Sequence, residues 1–185
     1  MLILGSKSPR RYEIMKMAGY DFKVVVSDVC ENVDSVSITD MSLKIAKKKC
    51  DAIFKNYQDD IIVSADTIVV IDGVVLGKPK DKCDARYMIN TIKNRMHLVY
   101  TSVIVKTKYE EYAFTEETKV YVSSISDEEI EAYINTKEPY DKAGAYAIQG
   151  YFAKYIEKIE GDYYNVMGLP IHKLSKILDN IKNTN

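Results

Sequence analysis

The sequence predicts a mixed α/β fold, a mixed sheet with helices on its faces. Three observations carry this. The run IIVSADTIVVI at 61–71 is rich in β-branched residues and is the strongest strand signal in the chain. The stretch 39–54 repeats apolar residues at Met41, Leu43, Ala46, Cys50, Ile53 and Phe54, a helical rhythm. Strands and helices follow one another without the strict alternation of a doubly wound fold.

The elements follow in order. Leu2, Ile3 and Leu4 form an apolar run stopped by Gly5, the mark of a short buried strand. Ser8 followed by Pro9 is a helix start, and the helix runs through Ile14, Met15 and Ala18 to a stop at Gly19. A second strand is predicted at 22–26, ahead of the 39–54 helix and the 61–71 strand. Asp72 and Gly73, followed by Val74 and Val75, signal a hairpin. A helix is predicted at 81–92, with strands at 98–105 and 112–122. Ser126, Asp127, Glu128 and Glu129 open the 126–133 helix with a capping box. A strand is expected at 152–159 and an amphipathic helix at 169–181, with Pro170 in its first turn.

Composition narrows the function. A chain of 185 residues fits a single domain spanning 1–185 and is long enough to bury a sizeable core. Its 26 basic and 27 acidic residues leave a net charge of −1, so electrostatics gives no reason to expect binding to nucleic acid or to an anionic membrane. No apolar run approaches the length of a membrane span, and the start MLILGSKSPRR is too short for a signal peptide. The three cysteines are widely spaced and the two histidines lie far apart, which argues against a disulfide scaffold and a His-rich metal site. A reduced, cytoplasmic protein is expected.

Several residues sit where their chemistry is costly. Arg10 and Arg11 fall in the first turn of a helix, where exposed amide groups and the macrodipole favour anions. Two guanidinium groups there make sense if a multiply charged phosphate docks, with Gly5 and Ser6 letting the backbone approach; two solvated surface arginines are the plain alternative. Asp66 interrupts the apolar run of the longest strand, so it must be paired, hydrogen-bonded, metal-bound or placed in a cleft. Catalysis or metal binding stands against a structural Asp at a bend between two short strands.

Other candidates carry weaker signals. Lys78, in a loop stiffened by Pro79, is a compact charge for phosphate or a solvated lysine, and GVVLGKP does not match a P-loop. Asp28 and Glu31 follow the second strand; strand-end carboxylates can bind Mg²⁺ with substrate phosphates, and solvated loop charges are the plainer reading of these two. Of the basic run Lys47, Lys48 and Lys49, most is expected to be solvated, with room for one member in a pocket. Gln149, in the glycine-rich segment DKAGAYAIQG, offers a donor and an acceptor to a base edge. His97, at a strand start, reads as a structural histidine.

Taken together, three stretches resemble the Maf (septum formation protein) family of nucleotide pyrophosphatases. They are LILGSKSPRRYEIMKMAGYDFKVVVSDVCE, SADTIVVIDGVVLGKPKD, and EPYDKAGAYAIQG with IEGDYYNVMGLP. The resemblance implies an elongated mixed sheet in two lobes with a central cleft, similar to inosine triphosphate pyrophosphatases. It implies hydrolysis of a nucleoside triphosphate to the monophosphate and pyrophosphate with a divalent cation, Mg²⁺ or Mn²⁺. By position, Asp66 matches the catalytic carboxylate, and Ser6, Arg10, Arg11, Lys49 and Lys78 match substrate-binding residues. Glu31 and Asp66 match the metal positions.

Arg10, Thr67 and Gln149 match the positions that separate a pyrimidine subgroup, acting on dTTP and UTP, from one acting on 7-methyl-GTP. All three agree with the pyrimidine type, and modified pyrimidine nucleotides are a further option. The departures are Cys30 in place of an Asp, Gly5 where Ala is frequent, Lys48 where Glu often precedes the pocket lysine, and Ser102 after Thr101 in place of Gly. A homodimer is one option for such a chain. A nucleotide-binding regulator of cell division without significant turnover is the competing function.

Overall fold

The computed structural model describes residues 1–30, 33 and 37–184; Glu31, Asn32, Asp34, Ser35, Val36 and Asn185 lie outside the described residues. The elements are β1 (Leu2–Leu4), α1 (Pro9–Met17), β2 (Lys23–Val24), α2 (Ile38–Phe54), β3 (Ile61–Ile71), β4 (Val74–Leu76) and α3 (Lys82–Ile92). Then come β5 (Met96–Lys106), β6 (Glu111–Val122), α4 (Asp127–Ile134), β7 (Ile156–Glu160), α5 (Tyr163–Met167) and α6 (Ile171–Thr184). Among the described residues seven strands make one mixed sheet in the order β2-β1-β3-β5-β6-β7, with β4 paired to β3. The mixed α/β architecture expected from the sequence is the one found.

The chain forms two compact units. The first holds Met1–Asp66, Thr101–Glu116 and Gly168–Asn185; the second holds Thr67–Tyr100 and Glu117–Met167. Strands β3, β5 and β6 contribute residues to both units. Among the described residues, no helix is long and apolar enough to cross a membrane.

In the first unit β1 pairs in parallel with both β2 and β3, with Leu4 beside Val24 and Val63. The core joins Ile3, Ile62 and Ile104 of the strands to Ala46, Cys50 and Ile53 of α2. Burial pushes the Cys50 thiol up to about 12, so it packs as a small apolar group and not as a nucleophile. Two departures from the family pattern find their reasons here. A Cβ on Gly5 would overlap Ser64 Oγ and stand 2.6 Å from Ile53 Cδ1, so a larger residue here requires those side-chain ends to shift. Ser102 is fully buried, yet its hydroxyl meets Ser42 Oγ at 2.7 Å and Thr115 Oγ1 at 2.8 Å, so its burial leaves no polar group unmet.

The second unit is built on a core that includes Val69, Ile71, Ile89, Ile92, Val120 and Phe152. Asp72 and Gly73, at φ of 51° and 76°, make the tight β3–β4 turn that pairs Ile71 with Val74. The capping box of α4 is complete, Ser126 and Glu129 each accepting from the other's backbone N–H. His97 is buried, and its Nε2 lies 2.7 Å from the Tyr146 hydroxyl, the structural role expected of it.

One stretch differs from expectation. The predicted strand at 152–159 begins as a 3₁₀ turn, Tyr151–Tyr155, and only Ile156–Glu160 pairs as β7. The Glu138 carboxylate causes this by accepting from the backbone N–H groups of Tyr151 at 2.8 Å and Phe152 at 3.2 Å. With those donors turned toward one carboxylate, the chain coils before it extends. The short helix α5 was not signalled by sequence.

Candidate active site

The site residues gather where β1 stops and β3 runs on. Gly5 N donates to Val63 O at 2.7 Å, the last rung between the two parallel strands. β3 continues without interruption past Asp66, so the bend between two short strands is not what is found. The carboxyl end of a parallel strand is where open α/β sheets place ligands, because strand-end groups there lose their neighbour. Asp66 stands just beyond that point, with a side chain 13% exposed.

Lys49 supplies its countercharge. Lys49 Nζ donates to Asp66 Oδ1 at 2.8 Å, and the lysine side chain is 15% exposed. Helical geometry explains why this lysine and not its neighbours turns inward. Successive residues on α2 rotate by about 100°, so Lys49 shares the face of Ala46 and Cys50 while Lys47 and Lys48 stay exposed. Lys47 pairs with Glu111 and Asp51 on the outer face.

Arg11 completes the cluster from α1. Its side chain is buried, at 9% exposure. Its Nε–H donates to the Gly168 carbonyl at 2.7 Å, and its Nη1 donates to Ser6 Oγ at 3.0 Å and to the Ala65 carbonyl at 2.8 Å. Ser6 Oγ also accepts from the backbone N–H of Ser8 at 3.2 Å. Arg10, one residue earlier, is half-buried. The start of α1 has no side-chain cap and no acidic residue in its first turn, whereas α2, α3 and α4 have both. Its first turn thus carries no carboxylate of its own, which suits an anion.

The structure therefore brings Ser6, Arg11, Lys49 and Asp66 into one group within the first unit. Thr67 follows Asp66 on β3 and is half-buried. Lys78 and Gln149 belong to the second unit, and both are exposed, in the loop after β4 and in the turn before the 3₁₀ segment. Lys142 donates to the Glu138 carbonyl at 2.6 Å and to Asp141 at 2.5 Å, a local structural role. Asp162 likewise accepts from the Tyr164 N–H at 2.8 Å.

The donor set bears on a metal. Asp66 is a carboxylate with hard oxygen donors, on β3 beyond the end of β1. Asp28 is exposed and paired with Lys7 at 2.8 Å, which holds its carboxyl below the usual range. Glu31 lies outside the described residues. Among the described residues no group of three or more His, Cys, Asp or Glu could hold a metal ion. One carboxylate fits a Mg²⁺-type ion that takes its remaining ligands from substrate phosphates and water, and does not fit an all-protein cage.

Known proteins give a consistent picture. The chain is 48% identical over 180 residues to a dTTP/UTP pyrophosphatase of Thermoanaerobacter sp., covering 96% of this chain and 94% of the relative. It is 41% identical over 187 residues to a dTTP/UTP pyrophosphatase of Caldicellulosiruptor bescii, covering 97% and 94%. A third relative so named, from Bacillus cytotoxicus, is 43% identical over 177 residues, covering 95% and 93%. Among solved structures, the Ham1 protein of Staphylococcus aureus superposes with a TM-score of 0.55 over 97% of this chain and 98% of that one. At 12% identity that likeness concerns the fold alone. The pattern of the family described as Maf-like protein matches residues 1–181, and with these relatives it establishes that the chain belongs to the Maf family.

Proposed function

We propose that this protein is a nucleoside triphosphate pyrophosphatase that hydrolyses dTTP and UTP to the monophosphate and pyrophosphate. The single observation that carries the reading is the Lys49–Asp66 pair on β3 just past the end of its parallel neighbour β1, beside a helix start that suits anions. Relatives named dTTP/UTP pyrophosphatase at 41% and 48% identity support it.

The chemistry asks for charge neutralisation and a delivered water. Cleaving the bond between the α and β phosphates spreads negative charge over several oxygens, which cations and amide donors must stabilise. Ser6, Arg10 and Lys49 are assigned to the phosphates, with Arg11 in the same motif. Asp66 orients the attacking water and takes its proton, for which a carboxylate within hydrogen-bond reach of the water is the requirement. A divalent cation, Mg²⁺ or Mn²⁺, would supply Lewis-acid neutralisation of the phosphates, held by Asp66 and, by family position, Glu31.

For the second unit the assignment rests on sequence position. Lys78 matches a phosphate lysine, and Thr67 and Gln149, with Arg10 of the first unit, match the specificity positions. An amide such as Gln149 donates to a pyrimidine carbonyl and accepts from the ring N–H, a pair of groups that both uracil and thymine offer. A substituent at ring carbon 5 leaves that edge intact, so modified pyrimidine nucleotides fit the same reading. The free thiols Cys30, Cys50 and Cys83 support a reducing, cytoplasmic setting.

The test is a panel of triphosphates with Mg²⁺ or Mn²⁺, assayed for pyrophosphate release. The expected kcat/KM for dTTP and UTP exceeds that for 7-methyl-GTP, ATP and GTP by at least about tenfold, equal to about 1.4 kcal/mol. A clear preference for 7-methyl-GTP would refute the pyrimidine assignment while leaving the hydrolysis standing. Binding of triphosphate with no pyrophosphate formed would favour the regulator instead.

A further inference from the structure

We propose that Arg11 is a positioning residue, one that holds Asp66 and Ser6 in working geometry without itself gripping the phosphates. The proposal rests on the reading of Asp66 as the catalytic carboxylate. It departs from the expectation that both arginines of the SPRR motif meet the substrate directly.

The first argument is the ladder that β1 leaves unfinished. Along a strand, alternate carbonyls point to the same side. The Val63 carbonyl is taken by the backbone N–H of Gly5. The next carbonyl on that side belongs to Ala65, and β1 has ended before reaching it. Arg11 Nη1 takes its place at 2.8 Å. A guanidinium thus substitutes for the missing strand neighbour at the peptide that joins Ala65 to Asp66. Holding that peptide plane fixes the direction in which the Asp66 side chain leaves the strand.

The second argument is the span of the bonds from Nε and Nη1. Arginine has five N–H donors in a rigid fork. Nε–H goes to the Gly168 carbonyl, and Nη1 serves both the Ala65 carbonyl and Ser6 Oγ. The acceptors come from the segment before α1, from β3 and from the segment before α6, so one planar group ties three parts of the first unit together. Lysine presents one point charge and cannot reproduce that fork.

The third argument concerns Ser6. Its oxygen accepts from Arg11 Nη1 and from the Ser8 N–H. A hydroxyl whose lone pairs are engaged by two donors keeps its single proton to give. Arg11 therefore orients Ser6 as a donor, which is the polarity a phosphate oxygen needs.

The experiment compares Arg11→Lys and Arg11→Gln with the wild type. It reads kcat and KM for dTTP, inhibition by pyrophosphate, and thermal unfolding, with the rates taken below the unfolding transition and normalised to folded protein. Positioning predicts that kcat falls at least about tenfold, approaching 10²-fold for a displacement near 1 Å, while KM and the pyrophosphate inhibition constant stay within about threefold of wild type. Gln keeps a planar N–H donor and should retain more kcat than Lys. A rise in KM and in the pyrophosphate inhibition constant with kcat preserved would overturn the proposal, because it is the signature of a direct phosphate ligand. A lowered Tm with unchanged kcat would overturn it too, because it leaves only a structural role. Asp66→Asn serves as the control: if that variant keeps its rate, the catalytic reading itself fails, whereas a dead Asp66→Asn beside a fully active Arg11→Lys refutes only the role given to Arg11.

Discussion

Lys49 and Asp66, seventeen positions apart and on different elements, form an ion pair of 2.8 Å with both side chains at most 15% exposed. At that burial the pair is not a surface ornament. Water screens it poorly, and each charge offsets part of the other's cost of burial. The relationship explains how an acidic residue survives in the apolar run of β3.

Replacing Asp66 by Asn should abolish hydrolysis while the fold survives. Asn has nearly the same shape but cannot take a proton or serve as an anionic ligand. Loss of a general base costs at least about 10²-fold in rate. Circular dichroism would establish the fold and pyrophosphate release the rate; a folded Asp66→Asn protein with near wild-type turnover would contradict the assignment.

Lys49→Met keeps the aliphatic stem and removes the charge. We expect a loss of rate and a loss of stability, since the half-buried carboxylate loses the Lys49 charge at 2.8 Å. The two substitutions should not add. The interaction energy in a cycle of Asp66→Asn, Lys49→Met and the double variant should fall in the range of about 0.5–3 kcal/mol expected of contacting residues. Strict additivity of the unfolding free energies would show that the two side chains do not depend on each other.

Much of this was legible locally. The Ser8-Pro9 helix start, the Asp72-Gly73 turn and the Ser126–Glu129 capping box are each set by residues within one turn, and each is present. Asp66 was conspicuous because a charge in an apolar strand demands a partner. What stayed hidden depends on distant residues. Three consecutive lysines look alike to local chemistry; the family resemblance singled out Lys49, and the packing of α2 on Ile3, Ile62 and Ile104 is what turns it inward. Arg11 reaches the Gly168 carbonyl across a separation of 157 residues, and no local signal announces such an acceptor. The 3₁₀ turn at Tyr151–Tyr155 is held by Glu138, far outside the window in which strand propensity is judged.

Stability should fall with acid through His97. Burial holds its imidazole down to about 4, from an ordinary value of 6.5. Above pH 6.5 the ring is neutral in both states and contributes no pH dependence. As pH falls from there toward 4, only the unfolded chain takes up the proton, so stability is lost across that window, by about 3 kcal/mol in all. Denaturant unfolding of wild type and His97→Gln across this range would measure it. The variant starts less stable, and the gap should narrow as pH drops; a gap that is constant with pH would show that His97 takes no part in acid unfolding.

A side chain at Gly150 should cost stability. Its φ of 95° and ψ of −151° lie in a region open essentially to glycine alone. A Cβ would also overlap Glu138 Oε2, the oxygen that accepts from the Tyr151 N–H. Backbone strain of this kind costs about 1–3 kcal/mol, and displacing the carboxylate adds the loss of its two backbone hydrogen bonds. For a chain of this size each kcal/mol lowers Tm by about 2–4 °C, so Gly150→Ala should lower it by several degrees. The turn carries Gln149 immediately before it, and so the same substitution should shrink the preference for dTTP over ATP. Glu138→Gln, which retains one carbonyl acceptor, should show both effects more weakly. An unchanged Tm together with an unchanged base preference in Gly150→Ala would mean that the Glu138 latch neither braces the turn nor aims the amide.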